Sequence, residues 1–334
     1  MIPCCFHPTQ VVVIDDNEEF LNGLHRTLST EYSSYQYYKN PQKALLYLNE
    51  IYKSNPFPNR YIESVDEEEW EHRLLDINIV DSHHEAYRPE RFDEISVVVV
   101  DHSMPGLSGL QLCKQIKDPN IQKILLTGVA DEHIAIHAFN EGIIHHYIRK
   151  QDLDMLEQLE QAIEKAQWRY FNNLSEVTVK AITCDKTTGH PIVDSNFQSL
   201  FKRLMKRNQF KEAYLCESMG SYLFLTEDGA CHGLVVNNHD QLEVCWESGE
   251  VHNVDPTIID QLRNKDKILC YYNRQGPLEP VAKDWEKYLY PAQTLQGAQE
   301  TYYYAFAPNI FDVDHTRILS FEKHRDSMIF DIKS

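Results

Sequence analysis

The sequence predicts an α/β domain with a doubly wound parallel sheet, followed by an α+β domain with a mainly antiparallel sheet. Two apolar runs, VVVI at 11–14 and VVVV at 97–100, have the length and β-branched composition of strands that are buried on both faces. Helical segments separate successive strands, which is typical of parallel strands joined by crossovers. At 334 residues, the chain is long enough for two domains.

Strands and helices alternate five times in the first domain, which we predict over residues 1–175. Pro41 suits the first turn of a helix, where a backbone N–H would have no partner. The predicted strands are 10–15, 35–39, 95–100, 122–127 and 143–148. The predicted helices are 17–29, one beginning at Pro41, 109–117, 131–141 and 152–171. These elements predict a five-stranded parallel sheet with helices on both faces.

An acidic insertion, residues 55–94, separates the second helix from the third strand. It carries 12 acidic and 4 basic residues, where a few residues would normally connect the two elements. Its segment 66–76 fits a short helix with Trp70 and Leu74 on one face. The insertion is either a solvated acidic elaboration or a docking surface for a partner or for the second domain.

The second domain, residues 176–334, has a mixed pattern. The stretches EDG and SGE resemble hairpin turns, so 222–236 and 242–254 are predicted as paired strands. Further predicted elements are helices over 194–210, 256–264 and 279–289 and strands over 268–272 and 301–308. A polar break at 172–176 is expected to separate this domain from the first.

Charge and composition narrow the function classes. The formal net charge is −19, of which −13 falls in residues 1–175 and −6 in 176–334, so neither half offers the basic footprint of a nucleic-acid-binding protein. No apolar stretch reaches the roughly 20 residues of a membrane span, and the start MIPCCFHPTQ lacks the features of a signal peptide. A cytoplasmic protein with no membrane partner is expected.

The eight cysteines contain no CxxC pair. The Cys4–Cys5 pair is either redox-active or metal-binding, or it is part of a frayed terminus.

Carboxylates follow the two apolar runs. Asp15, Asp16 and Asp101 lie at strand ends, where open α/β sheets bind their ligands. Three converging carboxylates repel one another unless a cation joins them, and oxygen ligands of this kind suit Mg²⁺. Asp101 is then a candidate nucleophile that can accept a phosphoryl group.

The motifs VIDDN, VVVVDHSMPGLSG, LLTG and HYIRK occur in this order, each at the end of a predicted strand. Together they resemble the receiver domain of two-component response regulators. The pattern D-x-x-M-P-x-x-x-G is met by Asp101, Met104, Pro105 and Gly109. The resemblance covers about half of the chain.

The resemblance implies the roles of several residues. Asp101 is expected to accept the phosphoryl group, with Thr127 and Lys150 contacting its oxygens. Mg²⁺ is expected on Asp16, on Asp15 mainly through water, on Asp101 and on the backbone carbonyl of Ser103.

The family also implies a partner and a switch. The phosphoryl donor is expected to be a sensor histidine kinase or a phosphotransfer protein. Tyr147, three positions before Lys150, is expected to fill the space that Thr127 leaves when it moves towards the phosphoryl group. The face formed by 131–171 is expected to form a homodimer on phosphorylation, and slow autophosphatase activity is expected of the receiver.

The chain departs from the family pattern at several positions. Gln151 follows Lys150 where many receivers have a proline in a cis bond, which leaves the loop geometry open. Gly128 follows Thr127 where alanine is common. His102 either influences the lifetime of the phosphoryl group or lines the rim of the site.

The second domain contains one basic cluster and no recognised catalytic or DNA-binding motif. Lys202, Arg203, Lys206 and Arg207 are spaced to share a helix face, which is either solvated or contacts phosphate or a nucleotide. The leading hypothesis is a phosphorylation-controlled switch whose output binds protein or nucleotide, similar to a quorum-sensing response regulator. The alternatives are a transcriptional regulator that uses helix 202–211, and an enzymatic output domain.

Overall fold

The computed structural model describes residues 1–54, 62–64, 75–77, 84–128, 132–183, 189–271 and 282–333. The first part of the chain forms β1 (Cys5–Phe6), β2 (Thr9–Ile14), α1 (Glu18–Thr27), β3 (Ser33–Tyr38), α2 (Pro41–Ser54), β4 (Ile62–Ser64), β5 (Leu75–Ile77), β6 (Ile95–Asp101), α3 (Gly109–Gln115), β7 (Gln122–Thr127), α4 (Glu132–Asn140), β8 (His146–Arg149) and α5 (Met155–Thr183). The second part forms α6 (Ser195–Arg207), β9 (Glu212–Leu215), β10 (Tyr222–Leu225), β11 (Cys231–Asn237), α7 (His239–Val251), α8 (Pro256–Arg263), β12 (Lys267–Leu269), β13 (Leu289–Pro291), β14 (Gln293–Gln296), β15 (Thr301–Pro308), α9 (Phe321–Ser327) and β16 (Ile332–Lys333). Short 3-10 turns occur at Glu85–Tyr87, Pro89–Asp93, Pro191–Val193, Ala282–Tyr288 and His315–Arg317.

The chain divides into two compact units. The parallel-sheet unit comprises His7–Arg60, Glu90–Leu174 and Lys323–Ser334. The antiparallel-sheet unit comprises Met1–Phe6, Tyr61–Pro89 and Ser175–Glu322. A single boundary at residue 175 would place the N-terminus in the first domain and the C-terminus in the second. In the structure, Met1–Phe6 belong to the antiparallel-sheet unit and Lys323–Ser334 to the parallel-sheet unit.

The parallel-sheet unit confirms the predicted doubly wound architecture. Its sheet has the strand order β16-β3-β2-β6-β7-β8, and every neighbouring pair is parallel. β2 and β6 are fully buried along their length because alternate valines face two separate cores. Helices α1 and α5 cover one face, and α2, α3 and α4 cover the other. This packing fixes the central strands, and with them the residues at their ends.

The sixth strand, β16, was not predicted. Ile332 pairs with Tyr37 at the edge of the sheet, and the Lys39 backbone N–H donates to the Lys333 carbonyl at 2.9 Å. The ring of Phe330 stacks on His25 with a centroid distance of 3.6 Å. A strand of two residues has too little periodicity to stand out in a sequence, because its stability comes from the long-range pairing.

The antiparallel-sheet unit has a sheet with the strand order β1-β9-β10-β11-β15-β14, and every neighbouring pair is antiparallel. The predicted hairpin over 222–236 and the strand over 301–308 are confirmed. The Cys4–Cys5 segment is not frayed, since both cysteines are 1% exposed and Cys5 pairs with Tyr214. Burial raises the pKa of Cys4 to about 12, which keeps this thiol protonated.

Residues 242–251 of the predicted strand 242–254 lie in helix α7, which ends at Val251, so the hairpin predicted there is wrong. Asn238 caps the helix, because its side chain accepts from the Gln241 N–H while the Gln241 side chain accepts from the Asn238 N–H. The stretch SGE lies inside the helix and is not a turn. The capping box of Asn238 and Gln241, which is visible in the sequence, therefore indicated a helix more reliably than the SGE stretch indicated a turn.

The predicted break at 172–176 is also wrong. Helix α5 continues through it to Thr183, and Ser175, Thr178 and Val179 are buried. No proline or glycine interrupts this segment, so its polar residues alone do not end the helix.

The acidic insertion is described in part. Its predicted helix over 66–76, with Trp70 and Leu74, lies largely outside the described residues, and β4 and β5 form a small antiparallel pair. Within the antiparallel-sheet unit, the Tyr87 hydroxyl accepts from the Asp314 N–H at 3.1 Å, and the Arg317 guanidinium lies 4.6 Å from the centre of its ring. These contacts favour the hypothesis that part of the insertion docks on the second domain.

For a bilayer span, a helix must be both long and apolar, and none in the described ranges meets both conditions.

Two helical glycines are expected to respond in opposite ways to alanine. A Cβ on Gly249 would lie 2.4 Å from Ile259 Cδ1 and 3.1 Å from Trp285 Cζ3, so Gly249→Ala should destabilise the protein by about 1–3 kcal/mol. A Cβ on Gly23 in α1 would meet nothing within 4 Å, so Gly23→Ala should stabilise it by about 0.5–1 kcal/mol. Urea unfolding followed by circular dichroism measures both effects, and equal effects would contradict the packing around Gly249.

Candidate functional site

Three carboxylates meet at the carboxyl edge of the parallel sheet. β2 and β6 are neighbours with Ile14 opposite Val100, so Asp15 and Asp101 follow adjacent strands. Asp15 and Asp101 are buried, whereas Asp16 is exposed. Carboxylate oxygens of the three residues lie within 4.8 Å of one another, and we call this group the acid cluster.

Lys150 links the two buried members of the acid cluster. Its Nζ lies 2.6 Å from Asp15 Oδ2 and 2.6 Å from Asp101 Oδ1. The same ammonium lies 4.5 Å from the centre of the Phe20 ring, a cation–π contact that the sequence did not indicate.

The pKa values of the linked groups reflect competition between burial and charge. Burial raises the pKa of Asp15, and the hydrogen bond and charge of Lys150 oppose this rise. Burial alone would lower the pKa of Lys150, but its hydrogen bonds to Asp101 and Asp15 outweigh burial and raise the pKa. The lysine is therefore held as a cation between the two acids.

Backbone groups orient the carboxylates. The Asn17 N–H donates to Asp15 Oδ1, and the Ser103 N–H donates to Asp101 Oδ2, both at 2.9 Å. Gly109 begins α3 against the end of β6, where a Cβ would lie only 2.2 Å from the Asp101 carbonyl oxygen. A glycine at this position is therefore a steric requirement of the site.

Thr127 ends β7, the strand next to β6, and its side chain is fully buried. Its Oγ1 has no hydrogen-bond partner among the described residues, and an unpaired buried hydroxyl costs about 1–3 kcal/mol. Its carbonyl accepts from the Lys150 N–H at 3.0 Å, so the two residues are tied through the backbone. Because Thr127 ends the strand next to the one that ends at Asp101, this hydroxyl is a candidate to contact an added oxygen.

The other predicted residues take more peripheral positions. Tyr147 lies on β8 opposite Leu125 and is half-buried against the core that contains Leu125. Ser103 is exposed, in the loop that follows Asp101. The described chain contains no cis peptide, so Gln151 follows Lys150 through a trans bond and the lysine still reaches both acids.

The basic cluster belongs to the antiparallel-sheet unit, whereas the acid cluster belongs to the parallel-sheet unit. The charged side chains of Lys202, Arg203, Lys206 and Arg207 are exposed on α6. The opposite face of α6 is buried through Phe197, Leu200, Phe201 and Met205. The predicted amphipathic helix is thus present, with its basic face open.

Comparisons with known proteins bear on both units. The family model for the response regulator receiver domain matches residues 67–164, a range that contains Asp101, Thr127 and Lys150 but begins after Asp15 and Asp16. The hydrogenase transcriptional regulatory protein HoxA of Cupriavidus necator is 32% identical over 74 residues, which are 21% of this chain and 15% of that protein. The uncharacterized transcriptional regulatory protein YesN of Bacillus subtilis is 32% identical over 68 residues, 20% of this chain and 18% of that protein. The chain thus matches less than a fifth of the length of these two relatives.

A likeness over the whole chain comes from a solved structure. The Legionella pneumophila response regulator LqsR is 33% identical, with a TM-score of 0.80, over 98% of this chain and 96% of that chain. The likeness therefore includes the antiparallel-sheet unit as well as the acid cluster and its parallel sheet. The chain belongs to the response regulators of two-component systems that carry a CheY-like receiver domain.

Proposed function

We propose that Asp101 accepts a phosphoryl group from a sensor histidine kinase or a phosphotransfer protein, and that this transfer switches the receiver between two states. The observation that carries the proposal is the position of the Asp101 carboxylate, which lies among two further acids and 2.6 Å from the Lys150 ammonium, at the end of the strand next to the one that Thr127 ends. The roles of these residues and the output of the switch are part of the proposal.

The acid cluster fits Mg²⁺. Its donors are all oxygens, their close approach brings repulsion that a divalent cation would offset, and Asp16 leaves one side open to solvent. Asp15, Asp16 and Asp101 would hold the ion, with the backbone carbonyl of Ser103 as a further ligand. When bound, the ion would offset the negative charge of the carboxylates and of the incoming phosphate.

In the transfer step, a carboxylate oxygen of Asp101 forms a bond to phosphorus while the bond from phosphorus to the donor breaks. The product is an acyl phosphate on Asp101. Lys150 supplies positive charge beside the reacting carboxylate and pairs with a phosphoryl oxygen, and Thr127 donates its hydroxyl to another. Tyr147 then moves towards the space that the Thr127 side chain leaves, which couples the site to the surface of α4 and β8.

Asp101→Asn is expected to abolish acceptance of the phosphoryl group. Wild type incubated with acetyl phosphate and Mg²⁺ should gain the mass of one phosphoryl group in intact-protein mass spectrometry, and it should not do so when Mg²⁺ is chelated. Glu18→Gln, an exposed acid near the cluster, is the matched control and should behave as wild type. Phosphorylation of Asp101→Asn to the wild-type level would exclude this residue as the acceptor.

Thr127→Val should abolish the response to phosphorylation without lowering the stability of the unphosphorylated protein. The valine removes a buried hydroxyl without a partner, so the unphosphorylated protein should be as stable as wild type or more stable by about 1 kcal/mol. The variant should still accept the phosphoryl group but lose the phosphorylation-dependent change in the NMR signal of Tyr147. A clear loss of stability in urea unfolding would show that the hydroxyl has a partner in the resting protein.

Phosphorylation-stimulated dimerisation is proposed through α4, β8 and α5. Helix α4 exposes Ile134 (48%), Ile136 (39%) and Phe139 (47%), and β8 is the open edge of its sheet. Such a surface is typical of a protein interface. Phe139→Ser should weaken the phosphorylated dimer by about tenfold or more in light scattering, since interface aromatics often contribute above 1 kcal/mol.

Leu46→Ser is the control for this surface, because Leu46 is 63% exposed on α2, away from α4. It should leave the dimer unchanged. An equal effect of both substitutions, or a phosphorylated protein that stays monomeric, would discard this face as the interface.

A second candidate function is nucleic-acid or nucleotide binding by the antiparallel-sheet unit. The basic cluster supports it, because none of its four side chains forms an ion pair with a described residue. Fluorescence anisotropy with a labelled DNA duplex at several salt concentrations tests this function. Replacing all four residues with alanine should reduce the slope of log affinity against log salt by about 0.9 for each DNA phosphate that the protein no longer neutralises. Binding that is absent in wild type, or unchanged in the variant, would contradict it.

A further inference from the structure

We propose that the parallel-sheet unit binds a small organic phosphate in a cavity between α5 and the amino ends of β7 and β8. The cavity has a volume of about 420 Å³. Small-molecule sites occupy roughly 300–1,000 Å³, so this space suits a compact ligand.

The cavity lies at the other end of the sheet from the acid cluster. In the register of β7 and β8, Ile124 is opposite His146 and Thr127 is opposite Arg149. Gln122 and His146, which line the cavity, begin these strands, whereas Thr127 and Lys150 lie where they end. The two sites therefore use different residues of the same strands.

Short side chains on α5 create the space. The lining positions on this helix recur at spacings of three and four residues and form one face, namely Gln158, Gln161, Ala162, Lys165, Ala166 and Arg169. Ala162 and Ala166 are buried in the same core as Ile124. Because a protein interior is normally filled to near close packing, alanines above a strand leave room for an apolar group of a ligand.

The rim of the cavity is basic. Lys165, Arg169, His145 and His146 line it, and none of the described lining residues is acidic, although the chain carries a net charge of −19. Burial, and then the charges of Arg169 and Lys123, lower the pKa of His145 to about 4. Burial and the charge of Lys165 lower the pKa of His146. Both imidazoles are therefore neutral near pH 7, and the positive charge that favours an anion comes from Lys165 and Arg169.

A buried acceptor completes the lining. Gln122 is fully buried, and its Nε2 donates to the Asn120 carbonyl at 2.6 Å, while its Oε1 has no partner within the described part of the chain. Lysine and arginine on the rim suit a phosphate group, and the alanine floor suits a flat apolar body.

The test uses the full chain with Asp101→Asn and no Mg²⁺, so that the acid cluster cannot accept phosphate. Titration calorimetry compares phenyl phosphate, inorganic phosphate and phenol at constant ionic strength. Phenyl phosphate should bind. Inorganic phosphate should bind with an affinity lower by about tenfold or more, and phenol should not bind measurably. Equal affinity for the two phosphates would overturn the apolar part of the site, and no binding of phenyl phosphate would overturn the whole assignment.

Two double variants remove the same charge from different places. Lys165→Ala with Arg169→Ala should weaken phenyl phosphate binding by about tenfold or more, because it removes charged donors from the rim. Arg26→Ala with Lys114→Ala removes exposed positive charge elsewhere on this unit and should leave the affinity unchanged. None of the four side chains belongs to the buried core, so neither variant should prevent folding.

Equal losses of affinity in the two double variants would overturn the proposal, since binding would then follow net charge alone. Light scattering on the same samples provides the last comparison. A rim variant that changes the oligomeric state without changing phosphate affinity would assign this surface to a contact between two copies of the chain, against the proposal.

Discussion

The ion pairs of Lys150 with Asp15 and Asp101 are the interaction on which the receiver site depends. Two carboxylates buried at neighbouring strand ends would repel each other, and one ammonium at 2.6 Å from each holds them together. The strands that deliver the acids are fixed by valines packed on both faces of the sheet. The packed strands thus hold the acids in place, and the ammonium of Lys150 offsets their negative charge. Any charge added at Asp101 must change this electrostatic balance.

The parallel sheet was predictable because its central strands are continuous runs of β-branched residues. These runs leave no ambiguity about which residues are buried or where each strand ends. The positions of the three acids were predictable for the same reason, since they stand at the ends of these strands, whereas Thr127 and Lys150 were indicated by the resemblance to receiver domains. The cation–π contact of Phe20 and the unsatisfied Thr127 hydroxyl were not predictable, because both depend on side-chain positions across the fold.

The antiparallel-sheet unit was harder to predict, and its errors have identifiable causes. The SGE stretch resembled a turn, but Gly249 is needed inside α7 to let Ile259 and Trp285 approach the helix. The capping box of Asn238 and Gln241 was the available signal for that helix. Strands β1 and β16 contain two residues each, and only partners more than 200 residues away in sequence make them strands. Local patterns do not carry that information.

The exchange of chain ends between the two units affects how the protein can be taken apart. A single cut near residue 175 would remove Ile332 and Lys333 from the parallel sheet. The edge of β3 would then be unpaired and could pair with strands of other molecules. The same cut would take Cys5 and Phe6 away from β9. Conventional truncation thus yields two damaged fragments with exposed sheet edges, and their aggregation would be an artefact of the dissection. An intact chain keeps each terminal strand in its sheet, so substitutions in the full-length protein are a gentler way to study each unit than recloning either half.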